Sequence, residues 1–202
     1  YSDATVVPYH VYTYTLVAFS GDVLGGEGQV EVMTPDPFPP SIVIDSPSNG
    51  VLTNASNMEV TWTGTDEYSG IAGYWVKLND GPWVSVGMNV SHNFTGLSEG
   101  NNTLTVRAVA NAGNVNETSV IVARDSTVPI LSITAPAIGS VTGIDSVTAA
   151  WSAIDLTGVE GYQYRLDGGE WSVLNATPGA TFTGLAAGAH TIDVRAVDNA
   201  GN

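Results

Sequence analysis

The sequence predicts an all-β protein built from tandem β-sandwich modules arranged in a rod, and two observations carry that prediction. First, landmark residues recur at a spacing of 89 and then 88 positions, as Trp62 does at Trp151 and Arg107 does at Arg195. Second, short β-branched or aromatic runs alternate with clusters of Gly, Asn, Asp and Pro, without helical periodicity. A repeat of this length is a whole domain, so we expect modules strung along the chain.

The middle repeat is expected to hold seven strands, which predict a β-sandwich. In chain order they are A near Ile42–Asp45, B at Glu59–Thr63, C at Gly73–Asn79, C′ at Trp83–Val86, E near Ser91–Thr95, F at Thr103–Ala110 and G at Thr118–Ala123. The turns NDGP and DGGE follow strand C in the two repeats, where Asp-Gly and Gly-Gly are expected to supply the positive φ of a hairpin.

Three regions follow from the repeat and from the strand pattern. Residues 1–36 are expected to form only the last strands of a first module. Residues 41–125 are expected to form a complete sandwich, and residues 129–202 are expected to form a sandwich that lacks its last strand. The Pro residues between these regions predict stiff linkers.

Residues 41–202 resemble the immunoglobulin-like repeats found in tandem on bacterial and archaeal surface proteins. The resemblance rests on the motifs W-S-A-x-D, G-Y-x-Y-R-L-D-G-G-x-W, F-T-G-L-x-x-G and V-R-A-V-D-N-A-G-N. The middle copy departs from them at Ala110, which stands where Asp198 does, and at Trp75, which replaces Gln163.

Residues 1–36 resemble the C-terminal part of a fibronectin type III domain, with Tyr12 at the tyrosine-corner position. Together the two resemblances imply a non-enzymatic extracellular protein that serves as a structural spacer of a cell surface, stalk, surface layer or filament. The alternative that they leave open is an adhesin or an accessory carbohydrate-binding module.

The composition is strongly acidic, with 20 acids against 5 bases, a formal charge of −15 and no Cys. Such a surface repels nucleic acid and anionic membranes, and no apolar stretch here is long enough to insert into a bilayer. The expected partners are therefore neighbouring copies or domains of the same surface assembly, and glycans.

Carboxylates near the linkers predict calcium as the one candidate cofactor, because Ca²⁺ prefers oxygen ligands. The candidate ligands are Asp36, grouped with Asp66 or Asn114, and Asp125, grouped with Asp155 or Asp198. The alternative is that these aspartates only cap turns through their own backbone.

No catalytic residues are predicted. His10, His92 and His190 are isolated in different modules, and the sequence contains neither a nucleophile elbow nor a phosphate-binding loop.

Aromatic residues give one candidate ligand-binding surface. Trp62 and Trp151 alternate with polar neighbours, which favours positions in the core, whereas Trp83 and Trp171 follow hairpin turns and are expected to be partly exposed. If Trp75, Trp83 and Tyr68 share a face, they form a glycan-binding surface.

Acceptor triplets for N-linked glycosylation are more frequent than chance predicts, which favours an exported protein. The candidate acceptors are Asn54, Asn89, Asn93, Asn101, Asn116 and Asn175.

Overall fold

The computed structural model of the protein describes residues 4–20 and 22–202, and its regular elements are all strands. No helix able to cross a membrane is found among these residues. The strands are β1 (Val11–Ser20), β2 (Val23–Met33), β3 (Ser41–Ser46), β4 (Val51–Thr53), β5 (Asn57–Thr65), β6 (Ile71–Leu78), β7 (Val84–Gly87), β8 (Ser91–Thr95), β9 (Gly100–Ala110), β10 (Val115–Arg124), β11 (Ile130–Ala135), β12 (Ser146–Ile154), β13 (Val159–Leu166), β14 (Gly179–Thr183) and β15 (Ile192–Asp198).

The middle repeat is a β-sandwich, as predicted. One sheet has the order β3-β5-β8 and the other has the order β4-β10-β9-β6-β7. All seven predicted strands are present with bounds that shift by a few residues, and the structure adds the short strand β4. This strand pairs in parallel with the end of β10, placing Val51 opposite Val122 and Thr53 opposite Arg124.

The core of the middle repeat lies between its two sheets. Trp62 on β5 is 1% exposed, and its ring meets the Tyr74 ring on β6 at a centroid distance of 5.8 Å. Strand β9 contributes Leu104, Val106 and Ala108, all fully buried. Alternation along the strands thus places one apolar face of each sheet in the core.

The last repeat follows the same plan with sheets β11-β12-β14 and β13-β15. Trp151 on β12 packs against Tyr162 and Tyr164 on β13, at centroid distances of 6.1 and 5.4 Å. The predicted core positions of Trp62 and Trp151 are therefore confirmed. The indole Nε1 atoms of both are buried without a hydrogen bond within the described chain.

The N-terminal region forms the antiparallel hairpin β1–β2, with Val11 opposite Met33. The hydroxyl of Tyr12 accepts a hydrogen bond of 2.8 Å from the backbone N–H of Val7. A tyrosine that bonds the backbone a few residues upstream is the feature expected of a tyrosine corner.

The chain divides into two compact units. The first comprises the described residues up to Gly50 with Asn57–Thr95 and Asn102–Ile121, and the second comprises Val51–Ser56, Gly96–Asn101 and Val122–Asn202. The module boundaries inferred from the repeat, at 41–125 and 129–202, stay a prediction.

Candidate metal centre

Three of the predicted calcium ligands converge in the second unit. Asp125 follows β10, Asp155 follows β12 and Asp198 ends β15, so three loops bring them to one edge of the repeat. One oxygen from each carboxylate lies within 4.8 Å of the other two. Asp125 is 4% exposed and Asp198 is fully buried. Hard divalent cations bind such sets of carboxylate oxygens.

Thr157 connects two of these carboxylates. Its hydroxyl lies 2.7 Å from Asp125 Oδ2 and 2.8 Å from Asp155 Oδ1. The Thr157 hydroxyl and the Thr127 backbone N–H hold the pKa of Asp125 below its usual value, although burial acts in the opposite direction. Asp125 is therefore stabilised as a carboxylate anion.

Asp198 is held by the loop that follows it. Its Oδ1 accepts the backbone N–H groups of Ala200 and Asn202, and its Oδ2 accepts the Asn202 side-chain amide. The same amide also donates to the backbone carbonyl of Asp125, at 2.8 Å. Asn202 thus joins the linker aspartate to the loop.

The first unit contains the equivalent arrangement around Asp36. Asp36 is 5% exposed, and its Oδ1 accepts the Phe38 backbone N–H at 3.0 Å. Asp66 Oδ1 accepts the backbone N–H and the hydroxyl of Ser69, and the backbone N–H of Gly70. Asp36 Oδ2 is buried and has no hydrogen-bond partner in the described part of the chain.

Electrostatics around Asp36 resemble those around Asp125. The Phe38 N–H lowers the pKa of Asp36, burial opposes this effect, and Ser69 and Asp66 lower the pKa further. Asn114 donates its side-chain amide to the backbone carbonyls of Asp36 and Phe38, at 2.6 and 2.9 Å. It therefore fixes the linker in the way that Asn202 does.

The structure thus brings together the predicted groups in each repeat, with one difference between the copies. Buried Ala110 occupies the place of Asp198, so the first site has one carboxylate fewer. The sequence-based prediction missed Thr157 and Asn202. Their register with Ser69 and Asn114 in the repeat was the signal that could have identified them.

Of the three predicted glycan-binding aromatics, Trp75 and Trp83 both neighbour Arg107, whereas Tyr68 has a different aromatic partner. Trp75 lies on the outer face of β6, because its neighbours Tyr74 and Val76 are buried. Trp83 packs against the guanidinium of Arg107, 3.8 Å from the ring centroid. Tyr68 instead stacks on Phe38 with a centroid distance of 5.4 Å.

The Trp83 arrangement recurs in the last repeat. The Lys77 ammonium lies 4.8 Å from the Trp83 ring centroid, and the Trp171 ring meets both Arg165 and Arg195 at 4.6 and 4.5 Å. Both tryptophans are half-buried, as predicted. Four of the five basic residues of the chain are therefore placed against these two rings.

The predicted glycosylation acceptors are exposed except for Asn175, which is half-buried. Three side-chain amides already donate to backbone carbonyls: Asn54 to Gly201, Asn116 to Pro40 and Asn175 to Val173. Whether any triplet carries a sugar stays a prediction.

The structure consists of tandem immunoglobulin-like and fibronectin type III-like β-sandwiches, which is the fold that the two resemblances imply. Residues 40–125 match the family model described as glucodextranase, domain B. No curated protein matches the sequence.

Among solved structures, the chain is similar to fibronectin(III)-like modules of CbhA from Clostridium thermocellum, with 22% identity, a TM-score of 0.48, and coverage of 80% of this chain and 87% of that one. It is also similar to the FN1–FN3 domains of chicken CNTN1, with 19% identity, a TM-score of 0.42, and coverage of 98% and 73%. A third similar structure is an alpha-L-rhamnosidase of Streptomyces avermitilis, with 13% identity, a TM-score of 0.36, and coverage of 80% and 22%.

Proposed function

We propose that the chain is a non-enzymatic, extracellular structural spacer, in which tandem β-sandwiches are joined by fixed linkers. The first linker comprises residues 34–40 and the second comprises residues 124–129. The observation that carries the proposal is that hydrogen bonds hold each linker from both sides. A rod of such modules would act within a cell surface, stalk, surface layer or filament, with neighbouring copies or domains as its partners.

The second linker is held within the second unit. The Asp125 backbone N–H donates to the Thr53 carbonyl at 2.9 Å, and Ser126 donates its N–H and its hydroxyl to the Glu99 carboxylate. On the other side, Thr157 and Asn202 bond Asp125 as described above. These bonds oppose free rotation of the linker backbone.

The first linker is held in the same manner within the first unit. The Thr34 hydroxyl donates to the Val7 carbonyl at 2.6 Å, which connects the linker to the segment that precedes β1. Asn114 bonds the carbonyls of Asp36 and Phe38, and Asn116 bonds that of Pro40. Both linkers are therefore held by hydrogen bonds at equivalent positions of the repeat, which supports a role for the linkers in fixing module geometry.

Hydrogen exchange of the linker amides in the full chain tests this proposal. The Ser126 and Thr127 amides should be protected, and Asn202→Ala should reduce their protection about tenfold or more because the bond to Asp125 is lost. Asn89→Ala, at an exposed loop position, is the matched control. Unprotected linker amides in the unchanged protein would refute the fixed-linker spacer.

Export is tested separately. The supporting features are the acidic surface and the six acceptor triplets. Protease added to intact cells should cleave an extracellular protein, and a protein that survives until the cells are lysed would contradict this location.

A second candidate function is an accessory carbohydrate-binding module. It is supported by the match of residues 40–125 to a family described as a domain of glucodextranase, and by half-exposed Trp75 on an outer sheet face. Retardation of the protein in gels containing soluble glucans, abolished by Trp75→Ala, would favour it over the spacer.

A further inference from the structure

The Asp36 site contains an unsatisfied negative group. Asp36 Oδ2 is buried and has no hydrogen-bond partner among the described residues, and burying a charged oxygen without a partner is strongly unfavourable. The Ser69 hydroxyl carries one proton and donates it to Asp66 Oδ1, at 3.1 Å.

The last repeat has the same kind of shared hydroxyl. The Thr157 hydroxyl lies within hydrogen-bond distance of both Asp125 Oδ2 and Asp155 Oδ1, yet it can donate to only one of them at a time. The buried Asp198 carboxylate adds a third negative charge. Within the part of the chain that the structure describes, none of the three forms an ion pair with a basic side chain.

We propose that a Ca²⁺ ion occupies each position, bound by Asp36 Oδ2 with Asp66 in the first unit, and by Asp125, Asp155 and Asp198 in the second. A cation contacts both carboxylates at once, which one hydroxyl proton cannot do. Ca²⁺ accepts the mixture of carboxylate, hydroxyl and water oxygens available there, whereas Mg²⁺ demands a stricter octahedron. The second site is the tighter one, because it has one carboxylate more.

This inference deepens the proposed spacer function, since each ion sits on a linker aspartate. The spacer proposal and the Ca²⁺ proposal can fail independently. If the linker amides stay protected in the presence of EDTA and the protein takes up no Ca²⁺, the spacer proposal stands and the Ca²⁺ proposal is wrong.

Calorimetric titration of the EDTA-treated full chain with CaCl₂ tests the proposal. Two sites should be seen. Asp36→Asn should remove the weaker site and Asp125→Asn the tighter one, whereas Glu59→Gln, which removes an exposed acid on β5, should change neither.

The two repeats also provide exchanged variants. Asp198→Ala gives the last repeat the residue of the middle repeat and should weaken the tighter site about tenfold, and Ala110→Asp should strengthen the weaker site by a similar factor. Circular dichroism of each variant verifies folding. The proposal is overturned if the unchanged protein does not bind Ca²⁺ at millimolar concentration. It is also overturned if both sites stay intact in Asp36→Asn and in Asp125→Asn. In either case, water would be the hydrogen-bond partner of Asp36 Oδ2.

Discussion

The middle and last repeats share their strand plan but differ in where they use charge. At the linker site, the middle repeat has Ala110 where the last has Asp198. Beside the hairpin turn, the middle repeat pairs Asn79 with Asn102 through their amides at 3.2 Å, whereas the last pairs Asp167 with His190 at 2.7 Å. The same backbone therefore accepts a neutral or a charged pair, so the geometry does not depend on the charge.

Their cores differ in depth as well. The core of the middle repeat contains many residues with almost no exposed surface, whereas the buried cluster of the last repeat consists of Ala149, Trp151 and Tyr162 with half-buried residues around it. Burial of apolar area is the main stabilising contribution, so the middle repeat should be the more stable of the two.

Removal of the buried tryptophan of each repeat should cause the greatest loss of stability and tests the difference between the two cores. Trp62→Ala should destabilise the middle repeat by about 3–5 kcal/mol, because it leaves a cavity between the sheets, and Trp151→Ala should cost the last repeat less. Hydrogen exchange of the amides of Val106 and Val194 reports each repeat separately. Trp62→Phe is the control and should cost much less, since the indole N–H has no hydrogen-bond partner to lose among the described residues. Equal losses in both repeats would contradict the difference in core depth.

A smaller effect concerns the outer sheet faces. Trp83→Leu and Trp171→Leu should each destabilise their own repeat by about 1 kcal/mol, because each ring contacts two cations that are partly exposed. Chemical denaturation at low and high salt measures this loss. Ser85→Ala, an exposed position on neighbouring β7, serves as the control. A change below the error of the measurement would mean that the rings only pack.

A weaker effect concerns the pH dependence of the stability of the last repeat, which comes from the pair Asp167 and His190. The Ala186 carbonyl and the Asp167 carboxylate raise the pKa of His190 above 6.5, so protonation of His190 favours the folded state. This contribution is complete below pH 6.5 and is lost as pH rises through the raised pKa. The thermal midpoint of the last repeat should therefore fall slightly on the alkaline side of that window.

Asp167 also contributes to stability, and this contribution is lost at acid pH. The Thr191 backbone N–H and His190 hold its pKa below 3.8, so its contribution is present above pH 3.8 and is lost as pH falls through the lowered pKa. The double variant Asp167→Asn with His190→Asn copies the pair of the middle repeat. It should remove this pH dependence, and its persistence there would assign the effect to other groups.

The strands were predictable because their alternation is visible in the sequence. Strand β4 was missed, since three residues between turns give too short a pattern. The NDGP turn was explained incorrectly. Asn79 has the positive φ, at 50°, rather than Gly81, since asparagine tolerates the left-handed region, and its side-chain oxygen accepts the backbone N–H of Thr103 on the adjacent strand β9.

The metal site was predictable only in part. Carboxylates near linkers can be counted in a sequence, and that was enough to name Asp125, Asp155 and Asp198. The register of Thr157 with Ser69 could have marked Thr157 as part of the site, but its contact with Asp125 could not be foreseen, because it depends on how closely the linker approaches the loop after β12. The contact between Trp83 and Arg107 was hidden for the same reason, since the two residues meet only when β6 and β9 pair.

The parallel pairing of β4 with β10 has a mechanical consequence. Once β3 has separated from β5, tension that enters the middle repeat before β3 and leaves it after Arg124 pulls β4 and β10 in opposite directions along their length. The pairs from Val51–Val122 to Thr53–Arg124 would then be loaded in shear and would have to break together, not one after another. Resistance to stretching would thus reside in one of the shortest strands of the chain.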